Sequence, residues 1–429
     1  MMIKYFLALL LVLHTAFDVW IYQCMWKQRR KPLPASVADV YDETRYQTFI
    51  DYKTDCRMPY YISEGLSLCI DLFILFSPFY TWMDQHTANV YTLTLMTALI
   101  LMMINAVIAA FFAYHRTFLI EQKYGLNKRT KKEFWKDYLI DTGMGAVIMV
   151  CVLSFITFVC EHIRGWTGDF SYTFGQTFLL CVGLALVGFV IMLVLSLLSL
   201  VALMAQYSFT ELENGPLRQR IMELQRDSKK KVKHIKIYNE SKKTNSKNAF
   251  LMKLLWFRMF GIADNFILEN AQNELYAVLS HEIGHLKHKK DIFNYSKYGI
   301  LALGFLLVVG VASHPAIIWQ FNSLVQNTFG SLKINYYLSL YVIMTFFEPI
   351  SMLISVYFNA ISRREEKEAD MNAVKEGYGR ELINTFKKIS DDELVDLNPP
   401  QVVEILKYDH PSMVHRIEYI EKAMEEQMY

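Results

Sequence analysis

The chain has 429 residues, is 53% hydrophobic and only 20% charged, and carries a formal net charge of +2. That net charge is uninformative, and the basic clusters read better as topology signals than as nucleic-acid patches. The apolar residues gather in long blocks, which excludes the two or three soluble domains this length would otherwise suggest.

In chain order, seven blocks each come near the roughly twenty residues that a bilayer requires. They run Tyr5 to Met25, Gly65 to Met83, Tyr91 to Tyr114, Thr142 to Cys160, Phe174 to Met204, Tyr298 to Trp319 and Tyr336 to Asn359. The fifth is long enough to tilt or to project into water. The first opens with Lys4 like a secretory signal, but its run continues through Asp18 and Trp20 with no small-residue cleavage site. It reads as an uncleaved span. The expected fold is mainly α, a seven-transmembrane helical bundle.

Charge between the blocks sets the topology. Segments after spans one, three, five and seven are rich in Lys and Arg: Lys27 to Lys31, Arg116 to Lys132, the stretch around Lys229 to Lys233, and Arg363 with Arg364. Those after spans two, four and six hold almost none, Arg164 and Lys333 apart. By the positive-inside rule the N-terminus is outside and the C-terminus inside. The expected division is 1–205 for five spans and their loops, 206–297 for an inner domain, 298–360 for two more spans, and 361–429 for the remainder of the inner domain. The cysteines show no C-x-x-C spacing and lie mostly inside apolar blocks, as packed thiols do.

The inner domain holds the motif that carries chemistry. His281-Glu282-Ile283-Gly284-His285 reads H-E-x-x-H within Ala271 to Leu286, a stretch with no Pro and one Gly that favours helix. Positions four apart share a helix face, so His281 and His285 offer two imidazoles to one Zn²⁺. Glu282 stands beside them as a general base for water. Leu275, Val278 and Leu279 give the helix its apolar side. A catalytic zinc needs a third ligand on the same membrane side. The stretch Ser362 to Asp370 supplies acids, and from spacing alone Glu365, Glu366 and Glu368 are equal candidates. Asp370 lies four residues past Glu366 and could orient a ligand histidine. Hydrolysis of a peptide also needs a donor for the oxyanion, for which His410 is the best placed. For any one of those acids taken alone a solvated helix is the simpler reading, and for His410 alone an ordinary loop histidine is.

Several stretches together resemble the type I CAAX prenyl proteases, integral-membrane zinc endopeptidases. Phe118 to Asn127 is similar to the family's F-x-I-E-x-K-x-G-F-N loop. Asn248-Ala249-Phe250 is similar to the substrate-edge element of gluzincins, and Tyr276 to His285 to the family's zinc helix. Ser362 to Asp370 resembles its S-R-x-x-E-x-x-A-D element, and His410-Pro411 with Arg416 its H-P-x-x-x-x-R. The resemblance implies Glu366 as third metal ligand, Asp370 and Arg416 as its support, and His410 as oxyanion donor. It implies that Asn248, Ala249 and Phe250 hold substrate, which pairs beside them as an added strand. It also implies a gluzincin-like protease domain on the cytosolic side and a water-filled chamber enclosed by the spans. His14, Asp18, Asp71 and Glu348, which are costly in hydrocarbon, are then expected to line that chamber. Leu286 and Glu365 depart from the family pattern, and the tail shows no dilysine retrieval signal.

The expected function is removal of the last three residues of prenylated CAAX proteins, with one zinc per chain. The expected partners are those substrates and membrane lipid, with no nucleic acid. The expected location is the endoplasmic reticulum, N-terminus lumenal and C-terminus cytosolic. Two other readings stand beside it: a broad-specificity quality-control zinc protease, disfavoured by the span count, and a seven-span receptor or carrier, which leaves H-E-x-x-H unexplained.

Overall fold

The structure is a computed structural model, and it describes residues 2–166, 174–228, 231–244, 247–254, 257–269, 272–287, 296, 299–300, 304 and 315–428. Six helices among the described residues are long and apolar enough to cross a membrane. The expected span at 298–319 lies mostly outside the described residues.

Helix α1 covers Met2–Gln28 and α2 covers Glu43–Phe76. Asp42 caps α2 by accepting from the Arg45 backbone N–H at 2.7 Å, which satisfies one of the donors a helix start leaves open. The expected second span from Gly65 to Met83 is corrected here. The helix begins 22 residues earlier, at Glu43, and stops at Phe76. Pro78 has no N–H to continue the ladder and forces Ser77 into an extended conformation. A separate short helix, α3 (Phe79–Gln85), follows. Helix α4 (Val90–His115) opens on a capping box between Asn89 and Thr92.

Helix α4 runs into a π-helical turn, Arg116–Glu121. With five residues per hydrogen-bonded step, that turn brings Arg116 Nε to Glu121 Oε1 at 2.9 Å. The loop behind it is tied down at both ends. Lys123 and Tyr124 donate to Asp55 of α2 at 2.7 and 2.8 Å, and Asn127 bridges Thr244. Helices α5 (Lys131–Trp166) and α6 (Phe174–Gln206) complete the first half. Their exposed apolar side chains, Leu139 and Val147 on α5 and Val190 and Val201 on α6, are what a lipid-facing helix presents.

The next segment brings a sheet that hydropathy alone did not reveal. Strands β1 (Phe209–Glu211), β2 (His234–Tyr238), β3 (Ala249–Leu254) and β4 (Phe257–Ala263) are ordered β1-β2-β4-β3. The pairs β1–β2 and β3–β4 are antiparallel and β2–β4 is parallel. Strand β3 is therefore an edge. Phe250 on β3 lies over Gly261 on β4, where any Cβ would come within 2.4 Å of its ring. Gly261 is needed for that close contact. Helices α7 (Pro216–Leu224), α8 (Asp264–Glu269) and α9 (Gln272–Gly284) follow the strands or lie between them. Ile235, Phe260 and Ile262 of the sheet pack with Leu275, Leu279 and Ile283 of α9, which is the period a helix lays against a sheet.

Helix α10 covers Pro315–Phe329 and α11 covers Tyr336–Lys375. The latter is 40 residues long, about 60 Å at 1.5 Å per residue. It is twice a bilayer's thickness, so it both spans and projects. Gly377, with φ of 86°, closes its end. Helices α12 (Gly379–Glu393), α13 (Gln401–Lys407) and α14 (Met413–Met428) then fold back on the projecting part. A core of Ala277, Ala373, Val374, Leu382, Ile383, Ile417 and Ile420 joins α9, α11, α12 and α14, and Phe49 and Tyr52 of α2 enter the same cluster.

Candidate active site

Helix α9 presents His281 on a buried turn and ends at Gly284, two residues before the expected end at Leu286. Leu286 and Lys287 then donate to the carbonyls of Ile283 and Gly284, closing a tighter three-residue turn. His285 sits in that turn and still faces His281, with ring centroids 4.9 Å apart and planes at 89°. Gly284 explains how α9 meets α11. A Cβ on it would fall 2.6 Å from the Ala369 Cα, so two helix backbones touch where the motif has its only small residue. Asn372 fastens the same contact, donating to the Ser280 carbonyl at 2.7 Å.

That contact places Glu366 of α11 against both histidines. Its Oε2 is 3.4 Å from His281 Nε2 and its Oε1 is 3.3 Å from His285 Nε2. One ligand atom from each of the three lies within 4.8 Å of the others. Glu366 is buried at 6% exposure. Of the three acids that spacing left equal, it is the one turned inward, whereas Glu368 pairs with Arg364 at 3.4 Å.

One turn along, Asp370 is wholly buried at 0% exposure. It accepts from His281 Nδ1 at 2.7 Å, so the Nε2 of that ring faces Glu366. Arg416 donates to both its oxygens, at 2.9 and 2.6 Å, and Tyr419 donates to one. The guanidinium of Arg416 stacks on Phe386, 4.0 Å from the ring centroid. Burial disfavours a charged His281 ring, but the adjoining Asp370 carboxylate outweighs it and raises the ring's pKa. Glu282 also adds to that pull. His410 stands at the open side, half exposed, with Nε2 3.4 Å from Glu366 Oε1.

Asn248 immediately precedes edge strand β3, which Ala249 and Phe250 open, and that strand packs in one cluster with the helix that carries His281. Asn248 is exposed, and its carbonyl accepts from the Ala263 N–H at 2.9 Å. Ala249 turns into the core, and Phe250 packs on Gly261 and Tyr238. Tyr419 escaped the sequence reading. The signal was its spacing, three residues past Arg416 on one helix face.

The donor set fits a metal ion. Two imidazole nitrogens and a carboxylate oxygen converge, and the buried Glu366 Oε2 has no hydrogen-bond partner among the described residues. An acceptor of that kind is what a cation satisfies.

Comparison with known proteins agrees with this geometry. Residues 22–202 match the family description "CAAX prenyl protease N-terminal, five membrane helices", and residues 211–424 match "Peptidase family M48". The chain belongs to the M48 family of CAAX prenyl proteases. It is a multi-pass integral membrane metalloprotease. It is 26% identical to a probable CAAX prenyl protease 1 of Schizosaccharomyces pombe, over 95% of this chain and 86% of that one. It is 22% identical to a CAAX prenyl protease 1 homolog of Arabidopsis thaliana, over 91% and 90%. The crystal structure of S. mikatae Ste24p superposes with a TM-score of 0.75 at 18% identity, covering 98% of this chain and 99% of that one. The two chains share one fold, and the match to Peptidase family M48 sets aside the receptor or carrier reading.

Proposed function

We propose that this protease removes the last three residues of prenylated CAAX proteins. It would use one zinc ion per chain, held by His281, His285 and Glu366. The observation that carries the reading is the convergence of those three side chains in a chain of this family. Zinc bound there would supply Lewis acidity, polarising the scissile carbonyl and making water a better nucleophile.

Glu282 takes the proton from the attacking water and delivers it to the leaving amine. His410, on the open side of the cluster, donates to the oxyanion as charge develops there. Asp370 holds His281 in one tautomer and one ring orientation, and Arg416 holds Asp370. The backbone of Ala249 and Phe250 on edge strand β3 pairs with extended substrate, and the Asn248 amide both donates to it and accepts from it. The prenyl chain lies on apolar helix surface, where each buried CH₂ contributes about 0.8 kcal/mol.

The division at 1–205, 206–297, 298–360 and 361–429 follows from this reading, since the two inner segments share one site. Membrane lipid is then a constant neighbour and nucleic acid is not a partner. The charge asymmetry supports an N-terminus outside and a C-terminus in the cytosol, and the endoplasmic reticulum is the membrane proposed from the family resemblance.

The test is elemental analysis beside turnover of a farnesylated CAAX peptide. Wild-type protein should hold one zinc and cleave. Glu282→Gln should keep zinc and lose about 10²–10⁴ in kcat, because it removes a base and no ligand. His285→Ala should lose the metal. Undiminished zinc in His285→Ala would remove the ligand assignment.

A further inference from the structure

Three ionisable side chains of the membrane helices, Glu348, His14 and Asp18, form a line that ends on Lys407. Glu348 Oε1 on α11 lies 3.2 Å from His14 Nδ1 on α1. The other ring nitrogen of His14 lies 3.1 Å from Asp18 Oδ2, one turn further along. Asp18 Oδ1 then accepts from Lys407 Nζ at 2.7 Å. Lys407 ends α13, and His410 follows three residues later.

The same short segment is gripped from α11. Arg363 Nη1 donates to the Glu404 carbonyl at 2.9 Å and also to that of Tyr408. Asn359 Nδ2 reaches the Leu406 carbonyl at 3.4 Å. A helix end leaves its last carbonyls without intrahelical donors, and a cation there both bonds them and opposes the dipole. His410 itself has little else to fix it. Its side chain is 54% exposed, and among the described residues its polar side-chain contacts are Asp409, its chain neighbour, at 2.9 Å and Glu366 at 3.4 Å.

We infer that Glu348, His14, Asp18, Lys407 and Arg363 are positioning residues that set where His410 stands. The inference rests on His410 being the oxyanion donor. It gives a task to the charged groups of α1 and α11, which otherwise sit at a cost in the membrane helices. The effect should be on rate. Asp18→Asn and Lys407→Met keep side-chain size and should leave the helix packing in place. A displacement near 1 Å at a catalytic group, by contrast, can cost about a hundredfold.

The experiment is steady-state cleavage of a farnesylated CAAX peptide by the full-length zinc-loaded enzyme, with zinc content and Tm measured in parallel. Asp18→Asn and Lys407→Met should each lower kcat about tenfold, with KM, zinc and Tm unchanged. Arg363→Met should do the same. The charge swap Asp18→Lys with Lys407→Asp should recover most of the rate, which a loss of fold would not allow. In a His410→Ala background none of these changes should lower kcat further. A normal kcat in Asp18→Asn and Lys407→Met, or a full additional loss on top of His410→Ala, overturns the inference. A His410→Ala enzyme with near-normal kcat would instead remove the oxyanion role of His410, so the two failures are told apart.

Discussion

At the scale of single residues, the site depends on one glycine as much as on its ligands. Gly284 is the point where α9 touches α11, and a methyl there would meet the Ala369 Cα at 2.6 Å. Backbone cannot yield as a flexible side chain can, so Gly284→Ala must push the helices apart. The expected cost is about 1–3 kcal/mol, typical of overpacking. Glu366 would then move away from both histidines, so zinc affinity should fall with Tm. Measuring both by competition with a chelator and by thermal unfolding checks this. Unchanged zinc affinity would mean that the contact can relax without moving Glu366. Sequence reasoning placed His281, His285 and Glu282 from spacing alone, because a helix fixes which positions share a face. It could not choose among Glu365, Glu366 and Glu368, because spacing does not say which face of α11 meets α9. The choice of Glu366 rests on the helix contact in the fold, and in the sequence it came only from the family resemblance.

At the scale of elements, α11 is the part that joins membrane to chemistry. One uninterrupted helix carries Glu348 and Pro349 in its apolar half and Arg363, Glu366 and Asp370 in its projecting half. A helix advances about 100° per residue at 3.6 residues per turn. A single alanine inserted between Arg364 and Glu365 should therefore swing Glu366 and Asp370 off the α9 face. Zinc content should fall to background while the protein still inserts into the membrane. Retained zinc in that variant would show that α11 is not the rigid connector described here. Hydropathy was a good guide to such helices, because a bilayer demands length and apolarity together. It misplaced α2, where polar residues before Gly65 hide the helix start and Pro78 ends it early. It gave no sign of the sheet either. Strands as short as β1 and β2, with Lys236 between two isoleucines, are set by pairing with neighbours more than by local pattern.

At the scale of the whole molecule, the central expectations are sidedness and substrate. The metal cluster, α12 to α14 and the 239–244 segment belong to one folded part, held to α5 by the buried Lys243–Asp137 pair at 2.7 Å. They must share one side of the membrane. Protease added outside sealed microsomes should cut the tail beyond Asp370 and the loop near Lys242, both expected on the cytosolic side. Protection of both segments would reverse the orientation drawn from charge. The most direct measurement of the central claim compares a farnesylated CAAX peptide with the same peptide lacking the prenyl group, on purified zinc-loaded protein. The account predicts release of the C-terminal tripeptide from the prenylated peptide, with the bare peptide cleaved far more slowly for want of apolar area to hold it. Equal turnover of the two would contradict it and point to a protease of broad specificity.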